Sequence, residues 1–181
     1  KEYHRRNLLS NFTVITVGSI QMIKGTDIWT EVAINVCKKI NDIQFIWCGG
    51  AVDKILFNEC LRKIKDADLE DRITFLGHVE DASVTTSFSH LYYCSSRLDS
   101  FPLSILEAMS QGKNIIYYDS GGVVEAVDKN GIYIPDFSIN ETVQTIQNKY
   151  EEFKLNPESI FNRELYNRFY ENYTPEIFVQ K

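Results

Sequence analysis

Six short β-branched or aromatic runs, separated by stretches with helical spacing, constrain this chain more than any other feature. The runs are Phe12–Val17, Ile43–Cys48, Ile73–Leu76, Leu91–Cys94, Asn114–Tyr118 and Ile132–Ile134. Their apolar residues are nearly continuous rather than alternating, the pattern of strands covered on both faces. Helical spacing fills about Asp27–Ile40, Asp53–Ile64, Ala82–Phe88, the segment ending at Gly112, a short piece opened by Gly121-Gly122, Glu141–Phe153 and Pro157–Tyr170. Strands alternating with helices predict an α/β fold: a Rossmann-like, doubly wound parallel sheet with right-handed crossovers. The expected strand order is 3-2-1-4-5-6, with a ligand at the switch point outside strands one and four.

Both loops that leave that switch point carry chemistry. The first runs from Gly18 to Gly25 and holds Lys24. An ammonium in a glycine-bounded loop can serve a phosphate as a point charge. The second is Asp99-Ser100-Phe101-Pro102-Leu103-Ser104, opening a helix that closes at Gly112. Pro102 suits a first helical turn, and Ser104 stands three residues before Glu107, the capping-box spacing. A helix N-terminus aimed at a strand's carboxyl end attracts phosphate through free amides and its dipole.

Composition narrows the partners. A chain of 181 residues is long enough for one domain with a core, and 44% hydrophobic with 24% charged residues is ordinary for a globular protein. A net charge of −6 argues against nucleic acid as a partner. Cys37, Cys48, Cys60 and Cys94 lack metal-ligand spacing and read as buried thiols of a reducing, cytoplasmic setting. No stretch is apolar enough to span a membrane. Residues 1–11 read as an entry linker and 12–181 as the domain. The chain does not begin with Met, which suggests an excised piece of something longer.

Four landmarks in order resemble family 4 glycosyltransferases of the GT-B fold. Asp99 to Glu107, closing Glu-Ala-Met, resembles that family's E-x7-E signature. Val17-Gly-Ser-Ile-Gln-Met-Ile-Lys24-Gly25 is similar to its glycine loop, Phe75-Leu-Gly-His-Val79 to its F-x-G-x-V, and Gly121-Gly122-Val-Val-Glu125 to its G-G-x-x-E. The resemblance covers roughly residues 13–127 and implies the C-terminal, donor-binding half of such an enzyme. It implies a nucleotide-sugar donor, sugar transfer to an acceptor hydroxyl with retention, and no metal or other cofactor. It also implies a missing N-terminal acceptor domain as partner, a cytoplasmic location, and membrane association only as a peripheral contact through that half. Polysaccharide or glycoconjugate synthesis is the setting by analogy alone.

The same resemblance implies roles for particular residues. Lys24 would contact the diphosphate, Glu107 the ribose and Asp99 the transferred sugar, and these three are the expected catalytic set. Gly18, Ser19, His78, Val79, Arg97, Ser100, Phe101, Pro102, Leu103 and Ser104 complete the expected donor site, His78 and Val79 near the nucleobase. Two positions depart from the pattern. Ser19 stands where the family has an arginine, with Arg97 as a compensating cation on the facing loop. Asp99 is one methylene shorter than the family's glutamate.

Each residue also has a plainer reading. Lys24 is then a solvated lysine, Glu107 a capping residue, Asp99 a turn aspartate, Phe101 packing, His78 exposed and structural, and Glu125 a cap. Asp66-Ala-Asp68 resembles a metal-binding D-x-D, but ends a helix far from the switch point and reads as a solvated face. The aromatics Tyr150, Phe153, Phe161, Tyr166, Phe169, Tyr170 and Tyr173 read as core or as interdomain contacts. Two rival functions stay open: a non-catalytic GT-B scaffold, and a GT-B-type sugar-nucleotide epimerase.

Overall fold

A computed structural model describes residues 11–100, 103–174 and 177. The strands are β1 (Phe12–Val17), β2 (Ile43–Cys48), β3 (Ile73–Gly77), β4 (Leu91–Cys94), β5 (Asn114–Tyr117) and β6 (Ile132–Tyr133). The helices are α1 (Thr26–Cys37), α2 (Lys54–Asp66), α3 (Ala82–Ser87), α4 (Leu103–Ser110), α5 (Gly122–Val127), α6 (Ile139–Leu155) and α7 (Arg163–Asn172). All pairings are parallel and the sheet runs β3-β2-β1-β4-β5-β6, the expected order.

Period-two side-chain direction splits the strands between two cores. Val14, Phe45, Trp47 and Tyr93 face α1, α2 and α6, whereas Ile15, Ile46, Cys48, Tyr92 and Cys94 face α4, α5 and α7. Both faces are therefore dry, which is why the strand sequences do not alternate. The first core centres on Trp29, fully buried and edge-on to Trp47 with ring centroids 5.2 Å apart. Helix α1 lies between the sheet and α6, so nine of its twelve residues are buried and its sequence shows only a weak polar stripe.

The predicted helix Pro157–Tyr170 is two pieces. A 3-10 turn at Pro157–Ile160 stops at extended Phe161, and α7 restarts after Asn162. Asn162 is the physical reason. Its amide donates to the Gly112 carbonyl at 2.7 Å, its Oδ1 caps the Leu165 amide at 3.0 Å, and its Nδ2 donates to the Asn130 carbonyl at 2.9 Å. The Phe161 ring covers Gly112 so closely that a Cβ there would fall 2.2 Å from the ring. Side chains also cap α2, α3 and α6, Asp53 accepting from the Ile55 and Leu56 amides, Asp81 from the Ser83 amide and Ser138 from the Glu141 amide.

Candidate functional site

The switch point is where β1 and β4 part company. Val14 pairs with Leu91 and Ile15 with Tyr92, and the two strands then diverge. Their carboxyl ends open a cleft lined by Thr16, Val17, Gly18, Lys24, Trp47, Tyr92, Cys94, Ser96, Asp99 and Ser104. The glycine loop is held rigidly on one wall. The Trp47 indole donates to the Gly18 carbonyl at 2.7 Å. Gly49, at φ 148°, approaches that carbonyl so closely that a Cβ would lie 1.9 Å from it. Gly25 closes the loop at φ 69°, and its missing Cβ makes room for the Ser95 carbonyl, which it would meet at 1.9 Å. Loop and opposing strand are thereby packed backbone to backbone.

Lys24 and Asp99 reach across the cleft and form an ion pair. Their side chains are 25% and 10% exposed, so the pair is shielded but not sealed from solvent. Asp99 is itself fixed by its backbone: its amide donates to the Ser120 carbonyl at 2.8 Å and its carbonyl accepts from the Gly122 amide at 2.9 Å. The Gly121-Gly122 landmark is thus a support for the Asp99 loop.

Ser104 does not cap its helix. It lies within α4, where its hydroxyl accepts from the Tyr92 hydroxyl at 2.9 Å and faces the Val17 carbonyl at 3.4 Å. The capping-box reading of Ser104 and Glu107 is corrected accordingly. Burial first, with the Cys94 thiol next, raises the Tyr92 phenol far above its ordinary range, so it stays a neutral donor. One turn beyond Ser104, Glu107 is exposed, and burial of part of its carboxyl, then the Asp81 charge, pushes its pKa up. Among the described residues no cation or hydrogen-bond donor meets that carboxylate. Its charge is felt by Tyr92, and that of Asp81, in the loop after β3, is felt by it, but Glu107 does not itself line the cleft.

The other expected residues scatter around this centre. His78 is exposed and Val79 half-buried in that loop after β3, Val79 packing on the α4 side. The Ser19 hydroxyl accepts from the Gln21 side chain at 2.7 Å. Ser100 and Leu103 are exposed, while Phe101 and Pro102 lie outside the described residues. Arg97 is not a spare cation. Its guanidinium grips Asp27 with two bonds of 2.7 Å and the Met22 carbonyl with a third of 2.7 Å. Burial lifts the Asp27 carboxyl, but the Arg97 bonds and charge hold it below its usual value. Arg97 thus ties the Asp99 loop to α1 rather than compensating for Ser19.

Asp66 and Asp68 stand at the distant end of α2, Asp66 paired to Arg62 at 2.9 Å. Among the described residues no group of three or more His, Cys, Asp or Glu gathers to hold a metal ion. All four cysteines are free and buried, burial pushing Cys37 up to about 12 and Cys48 up to about 11. No described helix is long and apolar enough to cross a membrane. Sequence reasoning missed Tyr92 and Trp47. Their one signal is a polar tip inside an apolar strand run, which must find a partner when buried.

A doubly wound parallel sheet with a cleft at its switch point defines a Rossmann-like domain. The model of the family "Glycosyl transferases group 1" matches residues 11–152, and the chain belongs to that family. Among curated relatives, a subunit of human phosphatidylinositol N-acetylglucosaminyltransferase is 25% identical over 158 residues, 84% of this chain and 32% of its own length. The 2-deoxystreptamine N-acetyl-D-glucosaminyltransferase of Niallia circulans is 31% identical over 120 residues, 65% of this chain and 30% of its own. The chain spans about a third of the length of these relatives. Among solved structures, Anabaena Alr3699/HepE, in complex with UDP and glucose, superposes with a TM-score of 0.87 at 20% identity, covering 99% of this chain and 49% of that one. The C-terminal domain of LpcC, a group 1 family protein of Francisella tularensis, superposes with a TM-score of 0.81 at 23% identity over 94% of this chain and 91% of that one. The fold is that of one half of a GT-B glycosyltransferase.

Proposed function

We propose that this chain is the donor-binding half of a retaining glycosyltransferase that moves a sugar from a nucleoside-diphosphate donor to an acceptor hydroxyl. The observation that carries the reading is the convergence of the Gly18 loop, Lys24, Asp99 and Ser104 on one cleft, with Glu107, unpartnered among the described residues, a turn away. UDP in the HepE structure and in that of Staphylococcus aureus TarM supports a nucleoside diphosphate, with UDP as the first probe.

In this reading the diphosphate lies against Gly18, where a side chain would intrude, and Lys24 meets its negative charge. That charge grows as the glycosidic bond breaks, so Lys24 stabilises the transition state more than the ground state. Glu107 accepts hydrogen bonds from the ribose diol, for which an exposed carboxylate with no internal partner is suited. The base extends toward His78 and Val79, and the sugar toward Asp99. No step is assigned to a metal. The acceptor is supplied by the half of the enzyme outside this chain, so this chain by itself turns over nothing.

Isothermal titration of the full chain with UDP, GDP and ADP tests the site. We expect one of them to bind at a single site, and Lys24→Ala or Glu107→Gln to weaken it at least tenfold while circular dichroism shows the fold retained. Absence of binding to all three and to their sugar-linked forms, or binding indifferent to both substitutions, overturns the reading and favours a non-catalytic scaffold.

A further inference from the structure

The cleft at the switch point is occupied by the protein's own charges. Lys24 is paired with Asp99, and the pair leaves room for the centre of about one water, roughly 10 Å³. Asp99 is the one carboxylate and Lys24 the one cation lining the cleft among the described residues. Their charges cancel. Two backbone hydrogen bonds to Ser120 and Gly122 hold the Asp99 main chain beside Lys24, so its carboxylate can leave only by turning about its own short side chain. An incoming diphosphate must therefore compete with that carboxylate for Lys24.

We propose that Asp99 is a specificity-determining residue that selects the sugar-esterified diphosphate over the free nucleoside diphosphate. The inference rests on the donor-site reading above. A sugar nucleotide carries two negative charges on its diphosphate and brings hydroxyl groups next to it. These hydroxyls can donate to the Asp99 carboxylate, replacing the bond it loses when Lys24 turns to phosphate. A free nucleoside diphosphate carries close to one further negative charge at neutral pH, since a terminal phosphate loses its second proton near pH 6. It brings no sugar hydroxyl beside the terminal phosphate, so Asp99 faces added negative charge without that donor. Two like charges in a cleft only 10% open to solvent at the carboxylate repel strongly. Asp99 thus favours the donor on entry and expels the nucleotide product after transfer.

The test compares free and sugar-linked nucleotides. Affinities of the full chain for UDP, UDP-glucose and UDP-N-acetylglucosamine, or the set of whichever base binds, are measured for the native protein and for Asp99→Asn and Asp99→Ala. Asp99→Asn is expected to tighten the free diphosphate at least tenfold while leaving the preferred sugar nucleotide unchanged or weaker. The affinity ratio between them then moves at least tenfold toward the free diphosphate. Asp99→Ala separates charge from hydrogen bonding, and is expected to tighten the free diphosphate equally but to weaken the sugar nucleotide more. Equal changes for both ligand types, or a weaker free diphosphate in both variants, overturn the proposal while leaving the donor site standing. Failure of the native protein to bind any of these nucleotides overturns the donor-site reading instead. Circular dichroism on each variant confirms the fold.

Discussion

His90 shows how a single side chain couples the sheet to pH. It precedes β4, and its Nδ1 accepts the Thr13 amide at 3.0 Å while its ring stacks on Phe12 with centroids 5.1 Å apart. Burial, then the nearby Lys113 charge, lowers its pKa to about 4. An unfolded histidine titrates near 6.5. The folded state therefore binds fewer protons between those values, and the stabilisation is complete above pH 6.5 and lost as pH falls to about 4. Discounted for the part of the ring that meets solvent, the effect is on the order of 2 kcal/mol. Chemical denaturation across pH 4–7 should show that loss. His90→Asn keeps an acceptor for the Thr13 amide and should flatten the profile through that window. A profile unchanged by His90→Asn would assign the acid sensitivity elsewhere. Single residues also mark where local spacing stops being informative. Lys24 and Glu107 were visible as candidates, but Arg97 looked free because nothing near it in the chain marks Asp27 as its partner.

Helices and turns are positioned by a few caps and close approaches. Asn162 is the clearest, since one residue ends a turn, starts α7 and reaches two other loops. Asn162→Ala should cost about 1–2 kcal/mol through the lost cap and the stranded Asn130 carbonyl. Asn162→Asp keeps the acceptor for Leu165 and should recover part of that. Urea denaturation measures both, and equal costs for the two variants would deny the cap its role. Strand bounds were legible because both faces of the sheet are dry, so each run is apolar from end to end. The break at Phe161-Asn162 was not legible, because the Gly112 groove that holds Phe161 is assembled from residues far away in sequence. Ser104 failed as a cap for a similar reason. Its hydroxyl found Tyr92 on β4, and no local spacing announces a bond between strand and helix.

One sheet serves both cores, so the molecule is expected to unfold as a unit. Trp29 and Trp47 report on one face and α7 on the other. Tryptophan fluorescence and amide exchange in α7 should give the same midpoint in urea, as two-state behaviour requires. Separate midpoints would show that α7 detaches while the sheet survives. Whole-molecule geometry also explains why the chain could be read so far. Strand and helix periods fix the layers, and right-handed crossovers leave only a handful of orders once the strands are known. The loops after β1 and β4 must then leave the same edge, so Lys24 and Asp99 were bound to be neighbours in space. By itself the sequence determined the elements, the two-faced sheet and the edge at which the candidate cleft opens, because these follow from local period and chirality. Only the tertiary structure decided that Lys24 and Asp99 hold each other, that Arg97 serves Asp27 and that Glu107 finds no partner among the described residues. Those pairings depend on distances across loops far apart in the chain, and charge partners at close range are chosen by geometry that no spacing encodes.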